Sequence, residues 1–109
     1  MDFYVICYDT PNDKRRRKLS RFLVNYICRV QESVFEGFLK RHAFEKLRQS
    51  LSRVINPKED SLRIYTLNQA AHQRIEVFGS PGLIQNEGWI LISELDLNDL
   101  LPVEFGEED

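Results

Sequence analysis

The sequence predicts an α+β fold, a ferredoxin-like (split βαβ) sheet backed by two helices. Three observations lead there. Short apolar runs rich in aromatic and β-branched residues occur at Phe3–Tyr8, Arg29–Leu39, Asp60–Leu67 and Ile75–Phe78. Two longer segments, Lys14–Tyr26 and Leu39–Ile55, carry apolar residues at helical spacing instead. Strands and helices alternate along 109 residues, a length that suits one small domain.

Each element has its own justification. Phe3–Tyr8 is almost wholly apolar, as a strand buried on both faces would be. Asp9-Thr10-Pro11-Asn12-Asp13 is turn chemistry, with Asp13 a candidate helix N-cap. The first helix follows from Lys14, with Leu19, Phe22, Leu23 and Tyr26 on one face. Arg29–Leu39 reads as a second strand with a bend or bulge at Gly37. The second helix shows its core face in Phe44, Leu47, Leu51, Val54 and Ile55, and Asn56-Pro57 stops it. Asp60–Leu67 is a third strand, residues 68–73 a connection, and Ile75–Phe78 a fourth strand ended by Gly79-Ser80-Pro81-Gly82. The resulting order, β-α-β-α-β-β, is a variant of the split βαβ arrangement.

A further apolar run, Gly88–Ile92, is left over. It can pair at an edge of its own sheet or cross to a second copy of the chain, and exchange within a homodimer is the favoured reading. The organisation expected is therefore a core over residues 1–79, a linker and C-terminal strand over 80–93, and an acidic tail over 94–109.

Composition narrows the function classes. The chain is 42% hydrophobic and 29% charged, with a net charge of −2. Seven of its 17 acidic residues, and no Lys or Arg, fall in 94–109, so residues 1–93 carry ten acids against 15 bases, a net +5. A basic body suits anionic partners. No apolar run approaches the ~20 residues that span a bilayer, so no membrane role is expected. The first eight residues read as a strand rather than a signal peptide, and a cytoplasmic location is the expectation. Cys7 and Cys28 are expected as buried or half-buried thiols, and with His42 and His72 they make no zinc-ligand spacing.

Two features carry candidate chemistry. Asp9 ends an apolar strand, where a carboxylate sits at the sheet rim on a rigid support. It suits Mg²⁺ (or Mn²⁺) bound through one or two carboxylates with waters and phosphate oxygens, or it is simply a turn aspartate before Pro11. Lys14, Arg15, Arg16, Arg17 and Lys18 begin the following helix, where cations oppose the macrodipole. They bind phosphate, or they form a solvated charged face partly neutralised by Asp13. Arg29 and Arg63, one on each of two strands, extend the basic surface, and Tyr8, Tyr26, Phe35 and Tyr65 are stacking or core aromatics. Ser33 has no relay that would make it a nucleophile.

Taken together, Tyr8-Asp9, Asp13, the block Lys14–Lys18 and Arg29-Val30-Gln31-x-Ser33-Val34-Phe35-Glu36 resemble the small CRISPR-associated proteins of the second core Cas family (Cas two). Leu62–Leu67 and Ile75–Gly79 fit that family's later strands, and the resemblance spans roughly residues 3–92. The resemblance implies a ferredoxin-like homodimer with its last strand exchanged, acting in spacer acquisition. It implies a metal-dependent phosphodiesterase, an endonuclease on RNA or double-stranded DNA, and an adaptor for the CRISPR integrase (Cas one family). By the same resemblance Asp9 is the Mg²⁺ ligand and catalytic residue, paired with its copy across the dimer axis. Arg16 and Arg29 match basic positions of the family, and Tyr8, Ser33 and Phe35 match motif positions near the site. The chain departs from many relatives at Tyr26-Ile27-Cys28, where they carry glycine before the Arg-Val-Gln strand. A non-catalytic dimeric DNA-binding scaffold and a related toxin-like ribonuclease are the alternatives.

Overall fold

The computed structural model describes residues 1–79 and Gly82. The chain divides into two units, Met1–Asn68 and a second that starts at Gln69. The first unit runs β1 (Asp2–Asp9), α1 (Asp13–Val24), β2 (Cys28–Gln31), β3 (Val34–Leu39), α2 (Arg41–Val54) and β4 (Ser61–Leu67). The sheet order is β2-β3-β1-β4, with every neighbouring pair antiparallel. This is the split βαβ arrangement in its regular form, two β-α-β units interleaved in one sheet.

The regular form corrects one expectation. Arg29–Leu39 is two strands, not one, because Glu32-Ser33 makes a two-residue turn between Gln31 and Val34. The register slips by one residue between Arg29 and Gln31, so the irregularity lies in β2. Gly37, expected as a bend, pairs regularly with Tyr4. Its role is proximity: a Cβ there would stand 2.8 Å from Ile27 Cγ2 and 3.0 Å from Ile27 Cβ. Glycine thus lets the chain leaving α1 lie directly on β3.

Alternation along β1 builds the core. Tyr4, Ile6 and Tyr8 face the helices and are nearly fully buried, together with Phe35 and Leu39 of β3. Leu19 and Leu23 of α1 and Leu47 and Leu51 of α2 close the core from the other layer, all with no exposed surface. Each such leucine contributes about 1.5–3 kcal/mol by burial. Phe44, Val54 and Ile55 pack at its margin, and the Tyr4 and Phe44 rings stack with centroids 4.1 Å apart. Phe22, expected on the core face, is instead about one-third exposed.

Helix ends differ from the sequence reading by one or two residues. Asn12, not Asp13, caps α1, its Oδ1 accepting from the Arg15 amide at 2.8 Å. Asp13 is the first helical residue, where the macrodipole favours a carboxylate. The helix stops at Val24, short of Tyr26, and α2 begins at Arg41 because Leu39 closes β3. Cys28 is exposed rather than buried, since it opens an edge strand.

In the second unit residues 69–72 form a one-turn helix, α3 (Gln69–His72), where a plain connection was expected. Ile75–Phe78 is not a strand: the Ile75 amide donates to the His72 carbonyl in a turn, and Phe78 is 91% exposed. A short apolar run becomes a strand only where it finds a partner ladder. The expected strand at Gly88–Ile92 and the acidic tail lie outside the described residues.

Replacing Gly37 with alanine forces the added methyl against the branched root of a buried isoleucine. We expect Gly37→Ala to destabilise the protein by about 1–3 kcal/mol. Thermal melting followed by circular dichroism should show a Tm lower by roughly 5–15 °C. An unchanged Tm would mean that Ile27 moves aside without cost.

Candidate nucleic-acid interface

The C-terminal end of β1 is where strand, turn and helix meet. Alternation sends Tyr8 to the helix side and Asp9 to the opposite face, in register with Ser61. Asp9 is exposed and makes no ion pair or side-chain hydrogen bond among the described residues. No group of three His, Cys, Asp or Glu side chains among those residues could hold a metal ion. Among the described residues the donor set is thus a single rim carboxylate. That fits a hard cation completed by water, phosphate and a second carboxylate, and falls short of an all-protein cage.

The turn after Asp9 is fixed by a buried ionic knot. Arg15 Nε donates to Asp60 Oδ2 at 2.7 Å and its Nη2 to Asp60 Oδ1 at 3.1 Å, a two-pronged fork. Nη2 also reaches Glu59 Oε1 at 2.6 Å. The Asp60 side chain has no exposed surface and takes two further hydrogen bonds, from the Asn56 amide at 2.8 Å and the buried Thr10 hydroxyl. Arg15 and these donors hold the Asp60 carboxyl well below the usual carboxylate range. Arg15 is therefore committed to structure, apart from its neighbours in the basic block.

Helical spacing divides that block. Arg16 and Arg17 line a cavity of about 370 Å³ with Tyr8, Ser20, Arg21, Arg29 and Glu32. Lys14, Arg15, Lys18 and Arg21 lie with Phe22 and Arg53 around a second space of about 520 Å³ between α1 and α2. The first cavity adjoins the Asp9 rim through Tyr8. Arg16 is held there by the Asp13 carboxylate and by the Thr10 carbonyl at 3.0 Å, and it draws the Asp13 carboxyl below its ordinary pKa.

Arg29 is fixed on three sides. Nη1 donates to the Glu32 carbonyl at 2.7 Å, Nη2 donates to Ser20 Oγ, and the guanidinium stands 4.9 Å from the centroid of the Phe35 ring. Phe35 is fully buried and stacks against Tyr8 at 6.2 Å, so it supports the site from beneath. Burial pushes the Tyr8 phenol pKa up, against the opposing effect of Arg29. Ser33 contributes backbone, its carbonyl accepting from the Tyr8 amide at 3.2 Å. Arg63 lies apart from this group, opposite Cys7 and on the face turned away from the helices with Tyr65.

Ser20, Arg21, Thr10 and Asp60 were missed as site residues. Ser20 and Arg21 follow the basic block by less than one turn, and α1 periodicity alone places Ser20 above Arg16. Nothing in sequence spacing joins Arg15 to Asp60.

The profile of the family described as CRISPR associated protein Cas2 matches residues 1–75. The chain belongs to the Cas2 family. It is 38% identical over 92 residues to the CRISPR-associated endoribonuclease Cas2 3 of Synechocystis sp., covering 84% of this chain and all of that one. To the CRISPR-associated endoribonuclease Cas2 1 of Chloroflexus aurantiacus it is 46% identical over 78 residues, 71% of this chain and 84% of the relative. The crystal structure of Streptococcus pyogenes Cas2 superposes with a TM-score of 0.61 at 32% identity, covering 71% of this chain and 99% of that one. A Cas2-like chain in a partial Cas6-RT-Cas1–Cas2 complex superposes with a TM-score of 0.59 at 36% identity, over 71% and 90% of the two chains. The matched Cas2 region contains the whole β1–β4 sheet and both cavities.

The knot gives a pH dependence with a definite sign. Asp60 has a lower pKa folded than unfolded, so its stabilisation is present above the unfolded value near ~4. It is lost as pH falls from there toward the folded value. We expect Asp60→Asn to lower Tm at neutral pH and to flatten the acid limb of the stability curve. Urea unfolding at several pH values checks this: the gap between wild type and variant should close on acidification.

Proposed function

We propose that the chain acts in CRISPR spacer acquisition, as a metal-dependent endonuclease on RNA or double-stranded DNA and as a nucleic-acid-holding adaptor for a Cas1-type integrase. The observation that carries this reading is the juxtaposition at one sheet rim of an exposed carboxylate, Asp9, unpaired among the described residues, with an arginine-lined cavity. The endoribonuclease names of its relatives support the activity, and the Cas1–Cas2 assembly among its structural neighbours supports the partner.

Asp9 would hold the cation, Mg²⁺ or Mn²⁺, which when bound polarises phosphate oxygens and eases attack by water. Arg16, Arg17 and Arg29 take up phosphate charge, while Lys14, Lys18 and Arg21 follow the backbone along α1. Arg15 is left out of this set because its Nε and Nη2 are committed to Asp60 and Glu59. Tyr8, Ser33 and Phe35 support the arginines and the strand end.

A homodimer completes the site. Asp9 lies on the sheet face turned away from α1 and α2, and a symmetric pairing of those faces brings two copies of it together. Val77 is 45% exposed and Phe78 91% exposed, which suits a following segment that crosses to a partner sheet. The thiols Cys7 and Cys28 are unbridged, in keeping with the cytoplasm.

Asp9→Asn keeps the shape of the side chain and removes its charge. Cleavage of labelled RNA and of duplex DNA in Mg²⁺ should fall by roughly 10²-fold or more. Binding of the same probes in Ca²⁺, and elution as a dimer, should persist. Cleavage at the wild-type rate by the purified variant rules out this nuclease assignment, while spacer uptake that survives the substitution identifies the adaptor as the working role.

A further inference from the structure

The groove between α1 and α2 holds charge that its own walls leave unbalanced. Helical spacing puts Lys14, Lys18 and Arg21 on one face of α1, and Arg53 joins them from the last turn of α2. All four are exposed, and among the described residues none forms a salt bridge. No described Asp or Glu lines the groove. Its apolar part is Phe22, 36% exposed, and Val54. A sugar-phosphate backbone matches the cations and leaves Phe22 and Val54 facing water. An acidic peptide with apolar side chains matches both.

Such a peptide is written in this chain. Residues 94–109 hold seven carboxylates, no Lys or Arg, and six large apolar side chains interleaved with them, Phe105 among them between Glu104 and Glu107. Glu94 follows the apolar run Gly88–Ile92 by two residues, so a tail carried by an exchanged strand starts on the partner's side. Fully extended, residues 94–109 reach about 50 Å, against a radius of gyration of about 12 Å for a domain of this size. Exposed ion pairs are individually weak. Attachment to the dimer offsets that weakness by presenting the tail at an effective concentration of roughly mM.

We propose that the α1–α2 groove is the docking site for the acidic tail, residues 94–109, of the second chain in the homodimer, and that the tail holds the groove against nucleic acid. This rests on the reading of the protein as a dimer with its last strand exchanged. Tail carboxylates meet Lys14, Lys18, Arg21 and Arg53, and an apolar tail residue covers Phe22 and Val54. The cavity of Arg16, Arg17 and Arg29 is not covered by this docking. A strand that runs from that cavity onto the outer face of α1 has to displace the tail, so docking disfavours weak, non-specific binding.

Wild-type protein treated with a water-soluble carbodiimide tests the docking directly, because the reagent joins a carboxylate to a lysine amine that touches it. Of the chain's five lysines, Lys14 and Lys18 line the groove, and Lys40, Lys46 and Lys58 do not. Peptide mapping of the covalent dimer, cut from a denaturing gel, should find residues 94–109 joined to Lys14 or Lys18 in preference to the other three. The link should be lost in ~1 M salt and in excess duplex DNA. Arg21→Glu with Arg53→Glu keeps both lysines and should abolish it. Glu104→Lys, Glu107→Lys and Glu108→Lys in that background should restore a link between the same two segments. In parallel, replacing the seven tail acids by their amides should tighten duplex-DNA binding in Ca²⁺ by roughly tenfold at low salt, and by less when Arg21→Gln and Arg53→Gln are also present.

A wild-type tail that joins no lysine, or all five alike, overturns the proposal. So does a link confined to the monomer band, or a gain in DNA binding that Arg21→Gln with Arg53→Gln leaves undiminished. Should the charge-reversed variants fail to fold, the wild-type map alone decides. Elution as a monomer overturns the proposal together with the exchanged dimer, whereas a dimer whose tail avoids the groove overturns the proposal alone. A dimer whose tail joins the groove but which binds neither RNA nor DNA upholds the docking and removes the nucleic-acid reading.

Discussion

The ion pair between Arg15 and Asp60 is the constraint on which the functional end of the molecule depends. It joins α1 to the residue that precedes β4, and Asp60 extends it to Thr10 and Asn56. The end of β1, the start of α1 and the start of β4 are thus tied at one carboxylate with no exposed surface. Removing Arg15 leaves the Asp60 charge in a place that water does not reach, which costs far more than a surface pair gains. The exposed residues of the site can be exposed because this buried one is not. Asp9 and Arg16 flank Thr10 and Arg15 in sequence, so the knot fixes the backbone that aims both.

The tie also accounts for a run of cations at a helix start. Lys14–Lys18 lies where the macrodipole favours the opposite charge. Asn12 caps the helix, Asp13 supplies the first-turn carboxylate, and Arg15 is neutralised by Asp60 and Glu59. Arg16 is partly neutralised by Asp13. The local cost is thereby reduced at two of the five positions. Among the described residues Lys14, Arg17 and Lys18 form no salt bridge, which leaves their charge available to the nucleic acid strand proposed above.

Much of this was legible in the sequence, and the reasons are local. β1 is built on the six-residue apolar run Phe3–Tyr8, and α2 shows its core face at regular spacing. Tyr8, Asp9, Arg16, Arg29 and Phe35 could be named because a strand end, a helix start and a motif fix them within a short stretch of chain. The β2–β3 hairpin was missed because Glu32-Ser33 is a weak turn signal and Gly37 a stronger one. Gly37 turned out to serve a contact with Ile27 that no periodicity encodes. Ile75–Phe78 has strand composition and no strand partner among the described residues. Arg15 was read as one more cation of the block, since its partner Asp60 stands 45 residues away.

The two faces of β1 divide the labour of the site. Tyr8 faces the helices, where Phe35 restrains it, and the arginines gather on that side. Asp9, one residue on, faces the other way, where no metal-holding group of carboxylates gathers among the described residues. A strand cannot turn two successive side chains to one face, so a single chain cannot enclose a cation and a phosphate from adjacent β1 residues. The arrangement resolves this at the rim, where the strand ends and both faces are open to one ligand. A phosphodiester lying across the rim meets donors on the helix side and a carboxylate on the far side. On the proposed reading the second carboxylate comes from a second chain, which would make dimerisation a condition of the metal site and not of the phosphate site.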